Sequence, residues 1–182
     1  MDTADYSWPV YLPMVKSAVK AMDTVQAILP RIRKFVVTGF SKRGAATWLT
    51  GAVDPRVKGI APGVFDFLNF APQAKHDVKV YGCFASALKD YDNYRISQRI
   101  DTPEGIALGL VVDPYSYIRR PGFRKRLRLP KYLINSSGDQ FFLPDSARFY
   151  WNRLPAEKHI RYVPNSDHSL SNTTAIVIIV PT

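Results

Sequence analysis

The sequence predicts an α/β fold, a mostly parallel sheet with flanking helices and one helical, loop-rich excursion. Three observations carry this. Apolar residues at three- and four-residue spacing alternate with short, nearly continuous β-branched runs, the rhythm of helix–strand–helix–strand. Those runs lack the in-and-out alternation of a one-sided sheet, as parallel strands covered on both faces do. Each run then stops at Gly, Ser, Asn or Asp, residues that favour turns.

Taken in order, Leu12, Val15, Val19, Met22, Val25 and Leu29 lie on one helical face, so residues 11–29 read as an amphipathic helix that Pro30 stops. "KFVVTG" (34–39) is a strand expected to be buried on both faces. Residues 42–52 form the next helix, ended by Asp54–Pro55, and "VKGIAPGVFD" (57–66) is a second buried strand. Residues 67–128, rich in Tyr, Asp, Asn, Pro and Arg, are an excursion from the sheet and are expected to act as a lid or side wall of a pocket. The sheet rhythm resumes with the strand and turn "KYLINSSGD" (131–139), a helix over 145–154 capped by Asp145, and the strand "KHIRYVPN" (158–165). The whole of 1–182 reads as a single, partial domain.

At 182 residues with 46% hydrophobic content, the chain suits one globular domain. No run reaches the ~18–20 apolar residues of a membrane span, and 175–180 is far shorter. No signal peptide follows Met1, which implies a chain that stays in the cell or lacks its natural N-terminus. The single cysteine, Cys83, excludes an internal disulfide and a Cys-rich metal site, and reads as a buried, inert thiol. No metal and no cofactor are expected. The net charge of +10 suits anionic partners, and "RRPGFRKRLRLPK" (119–131) holds seven of the cations with no acid. Leu127 and Leu129 alternate with those cations, as in a solvated connection entering a strand. No helix-turn-helix, RNP or zinc-finger pattern accompanies them, which argues against nucleic acid.

The chemistry centres on Gly39-Phe40-Ser41-Lys42-Arg43-Gly44, a G-x-S-x-x-G variant of the G-x-S-x-G nucleophile elbow. It lies directly between an apolar strand and a helix, where a serine is held on a sharp turn and the helix N-terminus favours negative charge. The backbone N–H of Lys42 can donate to an oxyanion there. A serine hydroxyl needs a base. His76, in the excursion, is expected at the surface, and His159 falls within a strand. His168 lies in the polar turn "PNSDHSL" after the last strand, where a base would be presented. The orienting acid is expected at the end of the preceding strand, the place of Asp139. Asp145 reads as a helix cap, and Asp167 adjoins His168 too closely in sequence to face it. The order Ser41, Asp139, His168, each at a strand's C-terminal end, is that of α/β hydrolases.

"WPVYLPMVKSAVKAMD", "FVVTGFSKRGAATWLTGAVDPRVKGIAPGVFD", "DPYSYIRR" and "PKYLINSSGDQFFLPDSARFYWNRLP…KHIRYVPNSDHSL" together resemble the PhoPQ-activated pathogenicity-related protein family over nearly the whole chain. The resemblance implies an α/β-hydrolase-like fold related to serine esterases and peptidases, typically exported, with Ser41, Asp139 and His168 at the matching positions. Two features depart from the family. Phe40 and Ala45 stand where it usually has alanine and tryptophan, which moves bulk across the elbow. The family is also longer, so the chain reads as a fragment without the earlier strands or the loop supplying a second oxyanion donor. The elbow spacing, with a cation after the serine, also resembles that of glucuronoyl esterases.

These readings lead to an expected serine hydrolase acting on an ester or amide, with a small-molecule, peptide or carbohydrate substrate. A carboxylate-bearing ester would pair with Lys42, Arg43 or the 119–131 cations, and Phe40 and Arg43 are the candidate substrate-binding residues. The alternative is a non-catalytic α/β-hydrolase-fold binding or signalling protein linked to virulence regulation. The catalytic reading expects His168 Nε2 within hydrogen-bond reach of Ser41 Oγ and Asp139 beside the other ring nitrogen.

Overall fold

The computed structural model describes residues 8–171, so the polar start and the apolar run 175–180 lie outside the described residues. Helix α1 (Tyr11–Ile28) leads through Pro30 into strand β1 (Phe35–Phe40), helix α2 (Lys42–Val53) and strand β2 (Val57–Gly63). Six helices follow: α3 (Phe70–Tyr81), α4 (Lys89–Asn93), α5 (Ile96–Arg99), α6 (Pro103–Val112), α7 (Pro114–Ile118) and α8 (Pro121–Arg126). Strands β3 (Lys131–Ser136) and β4 (Lys158–Val163) complete a sheet of order β1-β2-β3-β4 with every pairing parallel. No helix among the described residues is long and apolar enough to cross a membrane.

The core is built around α2. Every residue from Gly44 to Ala52 is buried, because α2 packs against β1 and β2 and also against α1, α7 and α8. Small residues at Gly44, Ala45, Ala46, Gly51 and Ala52 allow that close packing, and Trp48, fully buried, fills the space between layers. Such burial is the main favourable term of folding.

Asp113 joins the excursion to the rest. Its buried carboxylate caps α7 through Tyr115 N–H (2.9 Å) and also accepts from Phe70 N–H (2.9 Å) and Asn69 N–H (3.2 Å) at the start of α3. Burial outweighs these three donors and pushes its pKa up to about 6.

Several expectations need correction. Strand β1 pairs only with β2 among the described residues, and Val36 is 74% exposed, so the strand is not covered on both faces. A continuous apolar run does not reveal which face is covered. The expected helix over 145–154 is two short 3-10 turns, Ser146–Phe149 and Trp151–Arg153, and Asp145 makes no side-chain cap. Cys83 is exposed rather than buried. The basic run is not a plain solvated connection. Part of it forms α8, and Lys131 is 2% exposed, its ammonium donating to the carbonyls of Leu129 (2.8 Å), Pro155 (2.7 Å) and Glu157 (3.4 Å). Burial lowers its pKa to about 8.

Replacing Lys131 by methionine leaves those carbonyls without a donor. We expect a loss of about 1–3 kcal/mol in urea unfolding, with a larger loss than for methionine at exposed Lys125.

Candidate functional site

Ser41 sits between β1 and α2 with φ 56° and ψ −125°, a conformation that non-glycine residues adopt at a cost. Its surroundings hold it there. Ser41 N–H donates to Gly63 O on β2 (2.9 Å), and Ser41 O accepts from Gly44 N–H (2.7 Å). The turn is tight enough that a Cβ on Gly39 would lie 2.6 Å from Arg43 O, and one on Gly44 would lie 2.7 Å from Phe65 Cβ. The elbow glycines are therefore demanded by close approach. Lys42 opens α2, and helix geometry leaves its N–H without an intrahelical acceptor. Arg43 and Lys42 are exposed beside the serine. Phe40 is half-buried and packs with Val64, Ile134, Val163 and Leu170.

The structure brings Asp139 and His168 together. His168 Nδ1 lies 2.9 and 2.8 Å from the two Asp139 carboxylate oxygens, with the aspartate side chain 3% exposed and the histidine 17%. A carboxylate only accepts, so Nδ1 carries the proton and a neutral ring keeps its lone pair on Nε2. Asp139 is fixed by Phe141 N–H (2.8 Å) and Phe142 N–H (3.3 Å), and His168 N–H donates to Gln140 Oε1 (2.9 Å). Phe141 and Phe142 flank the imidazole, their ring centroids 4.3 and 5.9 Å away.

The two loops carrying this pair are bonded to each other. Ser136 Oγ donates to Ser166 O, Gly138 N–H donates to the same carbonyl (3.0 Å), and Asn165 N–H donates to Ser137 Oγ (3.0 Å). A Cβ on Gly138 would lie 2.8 Å from Ser166 O, so the loops meet only because that residue is glycine. His168 Nε2 is buried and has no hydrogen-bond partner among the described residues, so the expected bond to Ser41 Oγ is not made. Catalytic hydrogen bonds in unliganded enzymes are often long and tighten only around substrate. Asp167 instead accepts from Ser169 N–H (2.9 Å) and Oγ (2.6 Å), and His159 stands exposed near Glu157.

Sequence reasoning missed two features. Asp66, just beyond β2, is 2% exposed and accepts from the hydroxyls of Tyr150 and Tyr162, the latter at 2.5 Å. It thereby ties β2 to β4 and to the 3-10 turn. Burial dominates its ionisation, outweighs the phenolic donors, and pushes the pKa up to about 7; Asp139 and Asp145 add in the same direction. In the sequence Asp66 reads only as the end of the strand expected over 57–66, since Tyr162 lies 96 positions away. The second is His76, expected at the surface. It lies within α3 at 16% exposure, with Nε2 3.0 Å from both oxygens of Asp145 and its ring against Phe149. Asp145, which also meets Arg148, is thus an ion-pair partner. Among the described residues no group of three or more His, Cys, Asp or Glu is placed to hold a metal ion.

A parallel sheet entered by a strand–Ser–helix turn, with the histidine and acid on loops after later strands, is the frame of the α/β hydrolases, and that is this fold. An acetyl xylan esterase from a Paenibacillus strain matches it with a TM-score of 0.60 at 17% identity, over 87% of this chain and 46% of that one. Acetyl xylan esterase 1 from a Thermoanaerobacterium strain also gives 0.60 at 17% identity, over 92% of this chain and 50% of that one. The sequence narrows the class further. A profile of the PhoPQ-activated pathogenicity-related protein family matches residues 1–181, and the chain belongs to that family. Autocrine proliferation repressor protein A of Dictyostelium discoideum is 42% identical over 184 residues, 98% of this chain and 36% of the relative. The chain therefore spans about a third of that relative's length and half or less of the two esterases.

Two predictions follow from the geometry. Gly44→Val drives side-chain carbon into Phe65, so urea unfolding followed by tryptophan fluorescence should show a loss of about 1–3 kcal/mol. Asp66 has a folded pKa above its unfolded value of 3.8, so the unfolded state loses the proton first. Its contribution to stability is complete below pH ~4 and is lost as pH rises to about 7, a change on the order of 4 kcal/mol. Unfolding at pH 5 and pH 7.5 should therefore differ less in Asp66→Asn than in the parent protein.

Proposed function

We propose that the protein, in its intact form, is a serine hydrolase that cleaves an ester by way of Ser41, His168 and Asp139. One observation carries this reading: His168 is held through Nδ1 by Asp139 while its Nε2 is buried and unpartnered. A buried, unsatisfied nitrogen is costly, and a serine proton donor is the partner that this chemistry supplies. The strained turn at Ser41 supports the same reading.

In this mechanism His168 Nε2 takes the Ser41 hydroxyl proton as Oγ attacks the ester carbon. The carbonyl electrons move onto oxygen, and the Lys42 N–H donates to that oxyanion. When the carbonyl reforms, the alcohol leaves with the proton from Nε2. Water repeats the cycle on the acyl-enzyme, and Asp139 holds the imidazole tautomer throughout. A carbohydrate ester or carboxylate-bearing ester is the substrate class we favour. Lys42 and Arg43, exposed beside Ser41, would meet a carboxylate, and two neighbours in fold are named acetyl xylan esterases. Of the 119–131 cations, Lys131 stands away from this site, because it opens β3 whereas Asp139 follows its other end.

A signalling or binding role without catalysis is the second reading, favoured by the name of the 42% identical relative, a proliferation repressor. Hydrolysis of p-nitrophenyl acetate by the intact protein separates the two. The hydrolase reading expects turnover that Ser41→Ala reduces to background and Asp139→Asn lowers by about 10³–10⁴-fold. Turnover unaffected by Ser41→Ala would remove Ser41 from the chemistry, and the absence of both turnover and labelling by a fluorophosphonate probe would establish the binding reading.

A further inference from the structure

Lys125 and Arg126 of the basic run border a cleft of their own. That cleft, about 760 Å³, lies at the opposite end of the sheet, between the end of α2, the start of β2 and α8. Five steps along β3 separate Lys131 from Ser136, roughly 16 Å at strand rise, so the two sites are distinct. Its size falls in the range of small-ligand pockets.

The lining combines an apolar floor with a rim carrying more cations than acids. Val57, Phe123 and Leu129 form the floor. Lys58, Lys125 and Arg126 supply the charge, and none of the three has an ion-pair partner among the described residues. The Lys58 ammonium donates to Pro55 O (2.8 Å), which leaves its other protons free for a ligand. The one acid among the described lining residues, Asp54, pairs with Arg56 through Nε (3.0 Å) and Nη2 (2.6 Å) and also feels the Arg126 charge. Three cations against one carboxylate leave an excess of positive charge in the cleft, and an anion seated among them relieves their mutual repulsion.

We propose that this cleft binds an acidic oligosaccharide, with its carboxylate or sulfate groups on Lys58, Lys125 and Arg126 and the apolar face of a sugar ring on Phe123 and Leu129. Single-stranded nucleic acid binding relies on several aromatic faces for successive bases, and Phe123, edge-on to Tyr117 at 5.0 Å, is the only aromatic residue lining the cleft. A membrane surface requires projecting apolar side chains, whereas Val57 is buried and Leu129 half-buried.

Titration calorimetry of the intact protein with an oligogalacturonide, a heparin-derived hexasaccharide and a neutral xylo-oligosaccharide tests this. At least one acidic sugar should bind, with affinity falling steeply as salt rises, and the two acidic arms distinguish carboxylate from sulfate. Lys125→Glu/Arg126→Glu should weaken binding by about tenfold or more and flatten the salt dependence, with labelling of Ser41 unchanged. Charge reversal at exposed Lys16 and Lys79, on α1 and α3, should leave affinity as it was. The proposal is overturned if neither acidic sugar binds, if the neutral sugar binds equally well, or if both double variants weaken binding alike. Tighter binding of single-stranded DNA or of phosphatidylserine vesicles would also overturn it.

Discussion

The close approach of α2 to β1 at Gly39, and to Phe65 just beyond β2 at Gly44, is the constraint on which the rest of the structure depends. Contacts below 3 Å for a Cβ at either position mean that the helix can start immediately after the strand only with glycine there. That abrupt start forces Ser41 to positive φ and aims the first N–H groups of α2 at the same space. It also sets how deeply α2 sinks between sheet and helices, so that Trp48 and its neighbours become the core. Stability and site geometry share one cause, and the Ser41–Gly63 hydrogen bond couples the turn to the next strand.

Asp139 and His168 are supported differently. Their loops are long and irregular, yet Ser136, Ser137, Gly138 and Ser166 bond the two loops together. Asp66 joins β2 to the same region through tyrosines from β4 and from the preceding turn. A polar network of this kind holds its position only when satisfied, and here most members have partners. Among the described residues His168 Nε2 and Asn135 Nδ2 are exceptions, and an unsatisfied group in a native site invites a functional explanation.

Much of this was legible in the residues. The helix–strand rhythm and the elbow between "FVVTG" and its helix are local signals, and α1, β1 and α2 lie within a residue of where periodicity puts them, whereas β2 stops three residues short of the expected 57–66 and 145–154 is two 3-10 turns. The features that escaped depend on partners remote in sequence. Nothing near His76 points to Asp145, 69 positions on, nor near Asp66 to Tyr162. Lys131 read as one more surface cation because its carbonyl partners come from another loop. The exposure of Val36 depends on which strands flank β1, a property of topology that a β-branched run does not encode.

A crystal structure of the intact protein reacted with an ester-mimicking phosphonate would test the central claim most directly. The account predicts phosphorus bonded to Ser41 Oγ, one phosphonyl oxygen within about 3 Å of the Lys42 N–H, and His168 Nε2 within about 3 Å of another adduct oxygen. Asp139 should remain on Nδ1. An adduct on a different residue, or one on Ser41 with His168 turned away and the Lys42 N–H bonded elsewhere, would contradict it.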